Sequence, residues 1–230
     1  MIIAFICIVL IFNTMETISI HRPKIVVIGS CNTDMVVKAN RLPVPGETIL
    51  GGTFYMNPGG KGANQAIAAA RLGAEVTFIS KIGYDLFGLQ ALEIYRSEKI
   101  NTEYIFTDQK SPSGVALISV DSFGENSIIV APGASRSLSI EDINKAEEKI
   151  KEADIILMQL EIPIDTVEYA ATIACKYGKK VILNPAPASS LSNSFLMNVH
   201  TILPNRIEAE MLSGIKVMNI ESAHRAAQAI

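Results

Sequence analysis

Apolar residues fall into two alternating patterns along this chain. Short continuous runs end at a glycine or a polar residue, and between them lie stretches whose apolar positions recur at helical spacing. Residues 24–29, KIVVIG, form the first such run, and their uniform apolar character suits a central parallel strand covered on both faces. From residue 75 onward the alternation is regular. It predicts strands over 76–82, around Tyr104, and over 155–160, 180–183 and 201–203. Helices are predicted over 86–98, 140–151 and 166–177, and another begins near Asn219. Strand and helix in alternation imply βαβ units and a mostly parallel sheet. Two strand pairs break the rhythm. Residues 34–38 and 48–56 flank Leu-Pro-Val-Pro-Gly, a poor place for a helix, and residues 114–121 and 126–131 read as a hairpin across 122–125.

One helix starts at a glycine-rich junction, NPGGKGANQAIAAARLGA over residues 57–74. Gly59, Gly60 and Gly62 permit a tight turn and a close ligand approach, and the first free N–H groups of the helix are expected to point at whatever binds there. Lys61 adds a charge. Asn64, one turn later, falls on the same face and adds an amide. Ala66, Ile67, Ala69, Ala70 and Leu72 make the packing side, and Gly73 closes the helix. A plain glycine turn before a core helix is the alternative, and it explains the glycines but not the lysine and asparagine. Two phosphate-loop patterns fail on spacing. G-x-x-x-x-G-K-[ST] requires glycine at 55 and Ser or Thr at 62, where the chain has Tyr55 and Gly62, and no G-x-G-x-x-G follows the first strand.

Open α/β sheets bind ligands beyond the carboxyl ends of their strands, so polar residues there are candidates. Asn32 and Asp34 follow the first strand, with a turn carboxylate as the alternative for Asp34. Glu161 ends the run IILMQLE, where a solvated loop acid is the alternative. Asn184-Pro-Ala-Pro-Ala occupies the next strand end, and its prolines stiffen the wall. Asn205 and Glu208 stand three apart at a strand-to-helix junction and share a helix face. A capping box, with Asn205 as N-cap and Glu208 at the third helical position, fits that spacing equally well. Asp85 reads first as a helix cap.

Composition narrows the class. With 230 residues, 49% of them apolar and 19% charged, the chain is a soluble globular protein with a proper core. A net charge of −3 argues against nucleic acid, and the pair Lys179 and Lys180 reads as a solvated strand start. Cys7, Cys31 and Cys175 are scattered without C-x-x-C spacing, which points away from disulfides and zinc and fits a reducing compartment. His21, His200 and His224 lie far apart and read as surface or packing residues.

GGKGANQA, with GSCNTD upstream and MQLE and NPAPA downstream, resembles the ribokinase-type carbohydrate kinase family, with the motifs in family order from about residue 24 to the last residue. The resemblance implies a three-layer α/β/α fold with a mostly parallel central sheet and a small β-sheet lid. The kinase domain would span 24–230, with lid strands near 34–56 and 114–131. The implied reaction is ATP-dependent phosphorylation of D-ribose at its primary (5-) hydroxyl to give ribose 5-phosphate, since the Lys-Gly-Ala-Asn-Gln version is similar to the ribose-acting members. Sugar contacts are implied for Asn32, Thr33, Asp34, Gly60, Lys61, Gly62, Ala63, Asn64 and Glu161. Asn205 and Glu208 would serve the nucleotide, with Glu208 reaching Mg2+ through water, and the family also implies a monovalent cation, K+. A homodimer through the lid and a cytoplasmic or nuclear location are implied as well, with neither nucleic acid nor membrane as partner. Tyr84 and Arg206 depart from the acidic residues usual at their motif positions.

The family's Gly-Ala-Gly-Asp segment, whose aspartate is the base, does not occur in these residues, and Pro132-Gly-Ala-Ser135 has no acid to replace it. The resemblance therefore places the base beyond Ile230 and implies that this chain is by itself inactive. The apolar stripe Ile220, Ala223, Ala226, Ala227 and Ile230, without a following strand to cover it, agrees with a fragment. A non-catalytic sugar-binding or subunit-interaction protein is the rival reading. An NAD-linked dehydrogenase is disfavoured by the missing dinucleotide fingerprint.

The first 23 residues stand apart. Residues 2–12 are an unbroken apolar run, too short to span a bilayer and within the length of a secretory core segment. No Lys or Arg precedes it, no small-x-small cleavage site follows, and Met15 offers another start. The segment is read either as a non-native upstream extension or as a weak signal or anchor, and residues 1–14 are expected to be dispensable.

Overall fold

The structure, a computed structural model, describes residues 22–230, so the expectations for the apolar run, for Cys7, Met15 and His21 lie outside the described residues. In chain order the strands are β1 (Lys24–Ile28), β2 (Asn32–Lys38), β3 (Thr53–Gly59), β4 (Glu75–Gly83), β5 (Ile105–Asp108), β6 (Gly114–Val120), β7 (Asn126–Ala131), β8 (Ile155–Met158), β9 (Lys180–Leu183) and β10 (Thr201–Ile202). The helices are α1 (Lys61–Arg71), α2 (Leu86–Ser97), α3 (Ile140–Lys145), α4 (Glu147–Glu152), α5 (Ile164–Lys176), α6 (Asn193–Leu196), α7 (Arg206–Ser213) and α8 (Ile220–Ala229), with a 3-10 turn at Gly133–Ser137.

Among the described residues, six strands form a parallel sheet in the order β10-β9-β8-β1-β4-β5. The alternation of side chains along β1 explains why its run is apolar throughout. Val26 and Ile28 face a core built with Ile143, Ile150 and Ala170 from α3, α4 and α5. Val27 faces the opposite core, built with Ala63, Ala66 and Tyr95 from α1 and α2. Helices thus cover both faces, and the fold is three-layered. Alanines on α1 bring its backbone close to the sheet, and Tyr95 meets Phe78 of β4 edge-on at 5.5 Å.

The remaining strands make a second sheet in the order β3-β2-β6-β7, with β2 and β6 parallel at its centre and antiparallel pairs outside. β3 starts later than its sequence pattern predicts and runs through Pro58. That proline is tolerated because β3 lies at the sheet edge. Gly51 and Gly52, at φ 103° and 112°, keep the preceding residues out of the ladder. The helix predicted over 140–151 is two helices. At Ala146 the hydrogen bonding tightens, with its N–H donating to the Ile143 carbonyl and its carbonyl accepting from Lys149 N–H, each three residues away.

Connection order positions the site. From β1 the chain moves outward through β4 and β5 on one side, and β8, β9 and β10 continue on the other. The order reverses between β1 and β8, so the crevice beyond their carboxyl ends is where an open α/β sheet binds its ligand.

Candidate active site

Three residues from distant segments meet in that crevice. Ser30, after β1, donates its hydroxyl to Glu161 Oε2 at 2.5 Å, and Glu161, after β8, also accepts from the Lys61 backbone N–H at 2.9 Å. Lys61 Nζ completes the cluster, 2.6 Å from Glu161 Oε1. Burial works against the Glu161 charge, yet the Lys61 N–H, the Lys61 ammonium and the Ser30 hydroxyl outweigh it and hold the carboxyl below its ordinary value. Gly60, the N-cap of α1, has no side chain to cap the helix. Glu161 takes that place from across the sheet, where a negative charge is favoured by the helix dipole.

The sequence reading of the helix start therefore needs correction. Two of its first three N–H groups are already engaged. Lys61 N–H is bound to Glu161, and Ala63 N–H donates to the Ser30 carbonyl at 3.0 Å. Gly60 and Gly62 answer to the protein's own backbone. Gly60 has φ 88°, and a Cβ on Gly62 would stand 2.6 Å from the Ser30 carbonyl oxygen. Gly62 and Ala63 are buried against β1, whereas Lys61 and the exposed Asn64 lie on the open side.

Asp34 occupies the lid side of the crevice. Register pairing sets Asn32 opposite Gly59 and Asp34 opposite Asn57, so both side chains share one lid face. Among the described residues, the Asp34 carboxylate has no hydrogen-bonding partner and rests over Gly59, where a Cβ would lie 1.9 Å from its Oδ1. Burial raises its pKa, the nearby Glu161 raises it further, and Lys61 offsets only part of this. Asn32 is 6% exposed, and its Oδ1 is buried without a partner. Thr33 alternates to the opposite lid face. There it joins Pro58, Phe87 and Ile94 along a groove of about 410 Å3 between the lid and α2, away from the other candidates.

Asn205 and Glu208 form the capping box. Glu208 N–H donates to Asn205 Oδ1 at 3.0 Å, and the two Glu208 oxygens accept from Asn205 N–H and Nδ2, each at 2.8 Å. The same two residues line a cleft of about 340 Å3 together with Lys61, Asn184, Pro187 and Leu203. Lys61 thus stands between the Asp34 end of the crevice and this cleft. Among the described residues no group of three His, Cys, Asp or Glu side chains could hold a metal ion. Glu208 is a single carboxylate whose oxygens each carry one protein hydrogen bond, and the remaining lone pairs suit a metal-bound water rather than a direct ligand. Cys31 is buried, and that burial pushes its thiol up to about 11, so it is no nucleophile.

Sequence reasoning passed over two polar residues here. Ser30 holds Glu161, and Gln159, fully buried, donates Nε2 to Gln65 Oε1 at 2.5 Å and ties the end of β8 to α1. Both lie inside the segments GSCNTD and MQLE, where a polar residue at the end of an apolar strand is the available signal.

The sequence matches the pfkB family carbohydrate kinase over residues 22–230. It is 46% identical over 206 residues to the ribokinase of Haemophilus influenzae, covering 90% of this chain and 67% of that protein. A deoxyribokinase of Salmonella typhi is 39% identical over 207 residues, covering 90% of this chain and 68% of that protein. The solved structure of Arabidopsis thaliana ribokinase complexed with ribose and ATP matches with a TM-score of 0.80 at 32% identity, covering 90% of this chain and 68% of that chain. The chain thus spans about two thirds of the length of these relatives. A match across the described residues, on a fold shared with a solved member, shows that the chain belongs to the pfkB family of carbohydrate kinases.

Proposed function

We propose that this chain carries the sugar site of an enzyme that transfers the γ-phosphoryl group of ATP to the 5-hydroxyl of D-ribose, giving ribose 5-phosphate. The observation that carries the reading is the half-buried Asp34 carboxylate without a protein hydrogen bond, next to the Lys61–Glu161 pair. A carboxylate held this way can accept from two vicinal hydroxyls, whose hydrogen bonds replace those to water. Asn32 and Asn64 contribute amides, Lys61 and Glu161 bound the site, and Thr33 and Gly60 to Ala63 supply backbone and shape. The matched relatives bear the names ribokinase and deoxyribokinase, and one solved relative holds ribose and ATP.

Nucleotide phosphates fit the cleft beside Asn184, Asn205 and Glu208. Glu208, through a bound water, would hold magnesium beside those phosphates, and the ion would supply positive charge against the phosphoryl oxygens. Lys61, between the two ends, orients the acceptor and adds positive charge where the phosphoryl group passes. No residue of this chain is assigned to K+. Exposed Phe54, Met56, Leu117 and Ile129 share one side of the lid and make it the face for a second copy. No described helix is long and apolar enough to cross a membrane, and the reading places the enzyme with ATP in the cytoplasm.

Calorimetric titration of the full chain with ribose and with deoxyribose tests the reading, alongside ADP release with ATP and magnesium. Saturable ribose binding that Asp34→Ala abolishes supports it. Absence of sugar binding by the unaltered chain overturns it.

A further inference from the structure

The β6–β7 hairpin of the lid joins the α/β body at one crowded point. Ser113, immediately before β6, is buried there and held three ways. Its N–H donates to Asp85 Oδ2 at 2.7 Å, its hydroxyl donates to Asp85 Oδ1 at 2.7 Å, and the same hydroxyl accepts from Gly83 N–H at 3.0 Å. The body has no room to give. A Cβ on Gly83 would lie 2.3 Å from Ser113 N, and one on Gly88 would lie 2.9 Å from Ser113 Oγ.

Asp85 also caps α2, accepting from Gly88 N–H at 2.9 Å through Oδ1. Capping alone does not account for an aspartate. Serine satisfies an N-cap as well, but only a carboxylate offers a second oxygen for the Ser113 N–H. Three donors converge on this carboxylate, and against the burial that disfavours its charge they hold its pKa below the ordinary value.

The next residue connects this joint to the sugar site. Gly114 pairs with Asn32 across β6 and β2, and a Cβ on Gly114 would stand 2.1 Å from Asn32 Oδ1. That oxygen has no hydrogen-bonding partner, so the Gly114 backbone pressed against it fixes the Asn32 amide. We propose that Asp85 is a positioning residue for the sugar site: by anchoring Ser113 to the body it sets Gly114 against Asn32 and so aims the amide that receives the sugar. The proposal rests on the sugar-site reading given above for Asn32.

Asp85→Ser separates the two roles of the aspartate, because it keeps an acceptor for Gly88 N–H and removes both bonds to Ser113. Ribose affinity, measured by calorimetry on the full chain, should fall by about 10-fold or more, as expected for lost hydrogen bonds to a charged group. Nucleotide affinity should be unchanged, and Ser113→Ala, which keeps the N–H bond, should lose less. Asn219→Ala removes the cap of α8 and serves as a control for lost stability without lost ribose affinity. Amide exchange across β6 provides a readout that needs no sugar. Faster exchange at 114–120 in Asp85→Ser supports the anchor whether or not ribose binds. If the unaltered chain binds ribose and Asp85→Ser binds it equally well, the positioning role is overturned. If β6 exchange is unchanged as well, there is no anchor. Failure of the unaltered chain to bind ribose, with β6 exchange faster in the variant, overturns the ribose reading and leaves the anchor standing.

Discussion

Lys61 and Glu161, 100 residues apart in sequence, are joined twice, through Nζ to Oε1 at 2.6 Å and through the backbone N–H to Oε2 at 2.9 Å. One contact is an ion pair and the other caps a helix. Together they fasten the start of α1 to the end of β8 across β1, which is the switch point of the sheet. Charge and backbone are satisfied by one carboxylate, so loss of either partner disturbs both.

Lys61→Met should destabilise the fold by about 1.5 to 3 kcal/mol, because it removes a charged hydrogen bond and leaves a largely buried carboxylate without its cation. Glu161→Gln should act similarly, since an amide cannot accept from both nitrogens and Ser30 together. The double variant should lose less than the sum. Urea unfolding of the four proteins gives the coupling energy, expected at about 0.5 to 3 kcal/mol. Strict additivity would sink the claim that the two contacts form one unit.

Gly62→Ala tests why the helix start is rich in glycine. A methyl at that position meets the Ser30 carbonyl oxygen at 2.6 Å, with Gly29 C and Ser30 N at 2.7 Å, all of them backbone atoms that cannot rotate away. Alanine gains up to about 1 kcal/mol of helix propensity over glycine. Overpacking of about 1 to 3 kcal/mol opposes that gain and should win. A lowered urea midpoint is the expected outcome. A raised midpoint would show that the helix can shift off β1.

Much of this was legible in the sequence because apolar period and strand-end polarity are local signals. β1, β4, β9 and both capped helices after Asp85 and Asn205 lie close to where the pattern puts them. The polar strand-end residues Asp34, Lys61 and Glu161 do converge. What local pattern could not carry is who pairs with whom. Nothing near Glu161 in sequence says that its partners are Ser30 and Lys61, so the helix N–H groups looked free. Likewise a glycine pair reads the same whether a ligand or the protein's own backbone presses on it. Thr33 sits inside a motif, yet the two-residue alternation of β2 turns its side chain away from Asp34. Asp85 read as a cap because its other donor, Ser113, lies 28 residues later.

Asn205 and Glu208 serve both a cap and, in the proposed function, the nucleotide, and substitution separates the two. Glu208→Gln keeps an acceptor for Asn205 N–H, but its amide nitrogen meets Asn205 Nδ2, a second donor, where Glu208 Oε1 accepts in the unaltered chain. Stability should then fall by about 0.5 to 1.5 kcal/mol, the net worth of one hydrogen bond. Asn205→Ala removes the cap and should lose about 1 kcal/mol. If Glu208 reaches magnesium through water, Glu208→Gln should weaken binding of ADP with magnesium and leave ADP without metal unaffected. Calorimetry in magnesium and in chelator reads this difference. Equal affinities in magnesium for Glu208→Gln and the unaltered chain would leave the capping role alone.

Asp34 should oppose folding at neutral pH while serving binding. Burial and the neighbouring Glu161 raise its pKa in the folded chain above the ordinary 3.8, so ionisation is harder in the fold than in the unfolded chain. A group shifted this way contributes stability below its unfolded pKa, and that contribution is lost as pH rises through the folded pKa. At neutral pH the contribution is gone, so Asp34→Asn should raise the melting temperature. Glu161 runs the other way. Its folded pKa lies below the ordinary 4.5, and its contribution is present above that value and lost as pH falls through the folded pKa. Acidification through the folded pKa of Asp34 should lower ribose affinity, and acidification through that of Glu161 should remove the stability that Glu161 contributes. Asp34→Asn should be weak in ribose binding at every pH and should lack this transition. Ribose titrations and melting curves across the acid range, on the unaltered chain and on Asp34→Asn, measure both effects. A melting temperature lowered by Asp34→Asn, or a ribose affinity of the unaltered chain that does not change as pH falls, would contradict the assignment of an uncompensated carboxylate to the sugar site.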